Sequence, residues 1–270
     1  MSERDLIEPG PGTVWTLHGK EVALLSASGF GGALYSLVWN GREFLNWSTT
    51  DLGRELQSAW QLEGLGERYN PTEAGGTGQT TRDTATEIIS ASTDGETLTT
   101  SVHPAFWQEY EGQRTSPDVL SKVVTVDYSN VTNLIRHDVK IEFAQSYSQS
   151  AIEVVTGYLE RQFTNCYILE EGVLKTVPYV PVTDPSQVWI DRVELGTSPL
   201  ILAVPDGSAA MGAWSNTGTQ IVCGIAGEFN KWNASRLELW PVEGTHEWTV
   251  YYVVGTLDDV AEKMRTILVA

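Results

Sequence analysis

The sequence predicts an all-β protein: a large antiparallel two-sheet supersandwich with a short C-terminal helix. Three observations carry that expectation. Apolar and polar residues alternate with period 2 from end to end, turn chemistry separates the alternating runs, and helical periodicity is scarce.

Taken in order, the strand-like runs are EVALLSAS, ALYSLVWN, TEIISASTD, TLTTSVHPAFW, KVVTVDYS, LIRHDVKIEFA, AIEVVTGYL, VWIDRVEL, LILAVPD, AAMGAWS, TQIVCGIAG, SRLELWPV and HEWTVYYVVG. Between them, WNGRE, STDGET, VPDGSA, SNTGTQ and PVEGTHE supply the Gly and Asn-Gly type residues that reverse a chain tightly. At least a dozen strands must hide their edges by stacking two large sheets or by closing a barrel, and the large sandwich fits best. No repeat of blade length points to a propeller. A short helical turn is expected around LGRELQSAW. The tail LDDVAEKMRTILV reads as a helix, with Thr256 or Asp258 as its N-cap, covering a sheet end. Segments 107–121 and 170–187 read as long irregular connections over the sandwich. Aromatic and apolar residues continue through both, so the expectation is one domain spanning 1–270.

Composition narrows the function. The net charge of −18, from 35 acidic and 17 basic residues, disfavours nucleic acid and acidic membrane surfaces as partners. No stretch approaches the roughly 18 uninterrupted apolar residues of a membrane span. The start MSERDLIEPGPG has neither a basic n-region nor an apolar h-region, so the expected location is cytoplasmic. Cys166 and Cys223, each among apolar neighbours, read as buried core thiols; a disulfide between them stays open, and neither metal-ligand spacing nor a redox motif is present. No metal and no cofactor is expected. Ten Trp is a high count for this length and suits stacking on sugar rings as well as core filling.

The densest chemistry lies between Asn40 and Gly76, where Asp51, Arg54, Glu55, Gln57, Glu67, Arg68, Tyr69, Asn70 and Glu73 mix with six Gly and a Pro. Carboxylates, Arg and amides grip hydroxyl groups in paired hydrogen bonds, and aromatic faces pack on pyranose rings. A saccharide is therefore the expected substrate. Glu67 and Glu73 stand on neighbouring turns and are the pair expected to do acid and base work across a glycosidic bond. Of Arg54 and Glu55, adjacent along the chain, one is expected to enter the cleft. Arg54, Glu55, Gln57, Tyr69 and Asn70 are candidates to bind the sugar. Trp107, Trp214, Trp232 and Trp240 suit either a sugar platform or the core; Trp107, beside the long loop, is the most suggestive, and Trp240 is kept as a candidate.

Laid in order, the strands, the NGREFLN loop and the Asn-Pro-Thr-Glu-Ala-Gly segment resemble the galactose-mutarotase-like supersandwich, a fold of aldose epimerases, several glycoside hydrolases and polysaccharide lyase domains. In that resemblance DLGRELQS places Arg54 where an early Arg reaches a substrate hydroxyl. SRLELWPVEGTHEWTVYYVVG is similar to the terminal pattern, placing Glu238 as the late carboxylate with Glu243 as its rival. Mutarotases pair that carboxylate with a His acid and a second, sugar-binding His. This chain offers His18, His103, His137 and His246, none in a matching motif. His103, before the long loop, and His246, opening the last strand, are the candidates, whereas His18 and His137 read as structural, His137 on a solvated face between Arg136 and Asp138.

The leading expectation is an enzyme cleaving or transferring a glycosidic bond through Glu67 and Glu73, or one of them with Glu238. The alternatives are an aldose 1-epimerase with Glu238 as base and His103 or His246 as acid, a lyase using Tyr69 or His103, and a sugar-binding domain without catalysis.

Overall fold

The computed structural model describes residues 12–46, 55–62, 69–76, 84–177, 193–194, 198–217, 219–226, 229–238 and 241–269. Among these, two large antiparallel sheets face one another, joined by a small four-stranded sheet. The eight-stranded sheet runs, neighbour to neighbour, Gln113–Thr115, Ala105–Tyr110, Pro71–Thr72, Gln57–Leu62, Ser150–Glu160, Phe229–Glu238, Gln220–Ala226 and Val193–Glu194. The nine-stranded sheet runs Val173–Thr176, Asn165–Glu170, Leu200–Ala203, Ala210–Ser215, Val242–Gly255, Leu134–Tyr147, Val119–Thr125, Thr97–His103 and Glu87–Thr93. Val14–His18, Val22–Ala27, Leu34–Trp39 and Arg42–Glu43 form the small sheet, hydrogen-bonded to the eight-stranded one through Leu34 and Leu56. The all-β sandwich with a single C-terminal helix stands as the sequence predicts.

Alternation builds the core. Leu56, Trp60, Ile152, Leu159, Ile221 and Trp232 point inward from the eight-stranded sheet. Leu120, Val124, Ile135, Val139, Val250 and Tyr252 meet them from the nine-stranded sheet, and all belong to one buried cluster. Cys166 and Cys223 are free thiols in the same core. Gly157 is required where it stands, because a Cβ there would lie 2.5 Å from Trp232 Nε1.

Several elements differ from expectation. LGRELQSAW contributes no described helical turn: Gln57, Ala59 and Gln61 alternate with Ser58, Trp60 and Leu62, a period-2 pattern that makes Gln57–Leu62 a strand. TLTTSVHPAFW is two strands, because Pro104 has no N–H for a ladder and the chain leaves one sheet at His103 to enter the other at Ala105. The segments expected to be irregular contain hairpins, Ala105–Tyr110 with Gln113–Thr115 and Asn165–Glu170 with Val173–Thr176. Each turns through Glu-Gly with both φ positive, at Glu111 and Gly112 (49° and 78°) and at Glu171 and Gly172 (50° and 75°), a geometry more often announced by Asn-Gly. The C-terminal helix Leu257–Val269 is capped by Thr256, whose Oγ1 accepts the Asp259 N–H at 3.3 Å. It packs Val260, Ala261 and Met264 on the outer face of the nine-stranded sheet rather than over its end. No helix among the described residues is long and apolar enough to cross a membrane.

Polar groups occupy the core as well. Lys122 shares the inward phase of Leu120 and Val124, and its ammonium pairs with the Glu73 carboxylate; both side chains are fully buried. Glu73 Oε2 also accepts the Ser58 N–H at 3.2 Å, and Lys122 Nζ donates to the Gly32 carbonyl at 3.3 Å. His137 is fully buried with Nδ1 3.2 Å from the Tyr252 hydroxyl, so it faces the core while Arg136 and Asp138 face outward, correcting the solvated face expected for it. Burial, and then Lys122, push the His137 pKa well down and keep the ring neutral.

Two predictions follow from this core. Lys122→Met strands a buried carboxylate and should cost about 3–5 kcal/mol in urea unfolding, whereas Lys122→Met combined with Glu73→Leu should recover most or all of that loss. Glu43 has Oε1 accepting the Leu37, Phe44 and Leu45 N–H groups and Oε2 at 2.5 Å from Ser36 Oγ; burial nevertheless pushes its pKa up to about 7. Its folded form therefore holds a proton that the unfolded chain releases near 4.5, so its stabilising contribution is complete below 4.5 and is lost as pH rises through about 7. Compared with Glu43→Gln, the native protein should lose stability across that window; parallel pH dependences would refute the assignment.

Candidate functional site on the outward face of the eight-stranded sheet

Register assigns the side chains that face away from the core. Thr156 is paired with Asn233 and with Gln57, and Tyr158 with Lys231, so these residues share the outward face. Glu153 is three residues before Thr156 and in a regular strand would point the other way. A β-bulge reverses that: Glu153 pairs with Ser235 and Val155 with Ala234, leaving Val154 as the extra residue, and the same shift occurs against Gln57–Leu62. Val154 and Val155 are both fully buried, and the Val154 carbonyl accepts the Ser58 hydroxyl at 2.6 Å. Glu153 is thereby turned onto the polar face.

There it is held by a closed network. Lys231 Nζ lies 3.1 Å from each carboxylate oxygen of Glu153, Asn233 Nδ2 donates to Oε1 at 2.9 Å, and Thr156 Oγ1 donates to Asn233 Oδ1 at 2.6 Å. The Lys231 ammonium sits 5.0 Å from the centre of the Tyr158 ring. Lys231 is 7 % exposed at its side chain and Glu153 27 %, so the cation is enclosed while the carboxylate reaches solvent. Burial pulls the Lys231 pKa down, but the Glu153 carboxylate and Tyr158 outweigh it and the net shift is upward; burial raises the Tyr158 pKa against the pull of Lys231. At neutral pH the site thus presents a partly exposed carboxylate beside a permanent cation and a protonated phenol. Such a group accepts hydrogen bonds from hydroxyls and takes up protons, with a phenolic donor near it.

Of the residues singled out from sequence, Glu55, Gln57, Asn70 and Trp107 belong with this face. Gln57 Oε1 accepts the Ala74 N–H at 2.9 Å. Glu55 is buried two residues before Gln57, and its charge contributes to the raised Tyr158 pKa. Asn70 is two residues before Thr72, which pairs with Ala59, and the Asn70 carbonyl accepts the Trp107 N–H at 3.0 Å. Trp107 packs on the cluster of Ala27, Phe30, Ala33, Tyr35 and Ala74.

The others lie elsewhere. Glu73 is turned into the core against Lys122, where burial drives its pKa up; a carboxylate enclosed there meets no substrate, so its setting is structural. Tyr69 packs edge-on against Tyr110 with ring centres 5.5 Å apart. His103 has Nδ1 3.0 Å from the Asp118 carbonyl and lines a separate open depression with Glu87, Gln113 and Arg114. His246 stacks on Trp248 with ring centres 5.8 Å apart and accepts no part in the Glu153 network. Trp232 fills the core, and Trp214 stacks on Tyr251 on the outer face of the other sheet. Glu238 has its backbone paired with Ser150, and its side chain lies outside the described residues, as do Arg54, Glu67, Arg68 and Trp240.

Glu153, Thr156, Tyr158, Lys231 and Asn233 are not among the residues the sequence singles out. The signal for two of them is the alternation in FNKWNAS, where Lys231, Asn233 and Ser235 interleave with the inward Asn230, Trp232 and Ala234.

No protein-family model matches the sequence, nor does any curated protein sequence. Solved structures do match in fold. The Slr1438 protein from Synechocystis sp. PCC 6803 superposes with a TM-score of 0.58 at 11% identity, over 92% of this chain and 97% of that one. A galactose mutarotase-like protein from Lactobacillus casei ATCC 334 superposes at 0.54 and 11% identity, over 90% and 100%. An alpha-N-acetylgalactosaminidase from Bifidobacterium bifidum, in complex with GalNAc, matches at 0.53 and 10% identity, over 94% of this chain but only 38% of the longer enzyme. The fold is therefore the galactose-mutarotase-like β-supersandwich, and at these identities the likeness speaks for fold alone.

The network predicts its own electrostatics. With Glu153→Gln the burial of Lys231 remains and its main counter-charge is gone, so the Lys231 pKa should fall. A nitrogen-15 NMR titration of Nζ reads this directly, and an unchanged value would break the assignment.

Proposed function

We propose that this protein is a carbohydrate-active enzyme that takes a saccharide on the outward face of the eight-stranded sheet and moves protons at its anomeric centre. The observation that carries the proposal is the Glu153 carboxylate, partly exposed and fixed by Lys231 and Asn233. The fold, shared with a mutarotase-like protein and with a domain-sized part of a glycosidase, supports the same substrate class. In this reading Glu153 accepts the proton of the anomeric hydroxyl while Tyr158 gives one to the ring oxygen. The bond between the anomeric carbon and the ring oxygen breaks, the open-chain aldehyde turns about its first carbon–carbon bond, and reversal closes the other anomer. Lys231 holds Glu153 in place and steadies the phenolate of Tyr158 as it forms. Gln57, Asn70 and Trp107 contact the sugar, and Arg54, Glu67 and Trp240 remain proposed contacts from sequence.

A second reading rests on Glu55, a further carboxylate on the same face whose charge reaches Tyr158. With Glu153 it would form the carboxylate pair of a glycosidic-bond enzyme.

Polarimetry on freshly dissolved α-glucose and α-galactose tests the first reading, and mass spectrometry of mixed oligosaccharides tests the second. Accelerated decay of rotation, reduced about 100-fold or more in Glu153→Gln, is the expected result. Oligosaccharides that gain water, with no effect on free sugars, would replace it with glycosidic hydrolysis by Glu153 and Glu55. Sugar binding by calorimetry with neither activity would leave a binding protein and overturn the enzymatic proposal.

A further inference from the structure

We propose that Cys166 and Cys223 are a site of reversible disulfide formation that ties the two large sheets together. Cys166 lies on Asn165–Glu170 of the nine-stranded sheet and Cys223 on Gln220–Ala226 of the eight-stranded sheet, 57 residues apart, yet their sulfurs face each other across the core at 3.5 Å. A disulfide needs about 2.05 Å, an approach within reach of small side-chain rotations, since sulfur already touches sulfur. Both thiols are free and buried, at 1% and 3% exposure.

The two thiols share one contact in which either can be the donor, and Cys223 lies on the strand next to the edge of its sheet, so it is the sulfur that meets an oxidant first. Access comes from the edge: among the described residues, Cys223 pairs with Val193 of Val193–Glu194, the outermost strand of its sheet. Local opening there admits a small oxidant such as hydrogen peroxide.

The Cys223 thiolate attacks one peroxide oxygen, the O–O bond breaks, and hydroxide leaves, taking up the proton that Cys223 released to form water. Cys223 is now a sulfenic acid. The Cys166 sulfur attacks it, the S–O bond breaks, and hydroxide departs with the Cys166 proton as a second water. Overall two thiols are oxidised by two electrons and one peroxide is reduced to two waters.

The test treats the native full chain with hydrogen peroxide, blocks residual thiols with N-ethylmaleimide, and reads intact mass and peptide maps. The expected result is loss of two hydrogens, a peptide linking Cys166 to Cys223, and a melting temperature raised on the order of 5 °C that dithiothreitol reverses. In Cys166→Ser, and in Cys166→Ala, Cys223 should instead be trapped by dimedone as its sulfenic acid. Unchanged thiols, oxygen added to either cysteine without a linkage, or a linkage that forms only in denaturant would each overturn the proposal. A linked protein that melts no higher than the reduced one would overturn the claim that the bond ties the sheets.

Discussion

The candidate site depends on one extra residue. Without the bulge at Val154, strand geometry places Glu153 and Thr156 on opposite faces, and the carboxylate points into the hydrophobic core. With it, Val154 and Val155 both face inward and Glu153 emerges beside Lys231 and Asn233. The bulge is set against both neighbouring strands, so it is held from two sides. A central strand thereby contributes to the core without a gap and to the polar face without a break in its network.

The two faces of this sheet solve opposite problems with the same residue types. On the inner side a lysine and a glutamate, Lys122 and Glu73, are fully buried and each is the other's answer to desolvation. On the outer side Lys231 and Glu153 form a pair in which the cation is enclosed and the carboxylate reaches water. The inner pair has no route to a substrate and serves to lock Pro71–Thr72 and its turn to the facing sheet. The outer pair keeps spare acceptor capacity.

The fold was legible because alternation survives in almost every strand, and the helix because Thr256, Val260 and Met264 carry the cap and the spacing of one. Gln57, Asn70 and Glu55 stand in one dense polar segment and Trp107 beside a later loop; Gln57 pairs with Thr156, and the Asn70 carbonyl accepts the Trp107 N–H. Glu73 stands in a glycine-rich turn, where a carboxylate reads as exposed, and its partner Lys122 is far away in sequence. In LSKVVT the inward phase carries Leu120, Lys122 and Val124, yet Ser121, Val123 and Thr125 read equally well as an inward phase, so the lysine looks like a strand end. The residues of the outer network were hidden for two reasons. FNKWNAS is too polar to resemble a core strand, and a bulge inverts the parity from which Glu153 would be assigned a face.

The network around Glu153 lies on strands, and every member is oriented by another: Thr156 fixes the amide of Asn233, which fixes one oxygen of Glu153, and Lys231 spans both. The acceptor is therefore preorganised. A ligand hydroxyl meets a carboxylate whose rotamer is already chosen, so the ordering entropy of association falls mainly on the ligand and on neighbouring chain. For the saccharide proposed above, discrimination would come from the match between a fixed array of acceptors and the stereochemistry of the ring, and a single inverted hydroxyl would lose its partner with no side chain free to follow it.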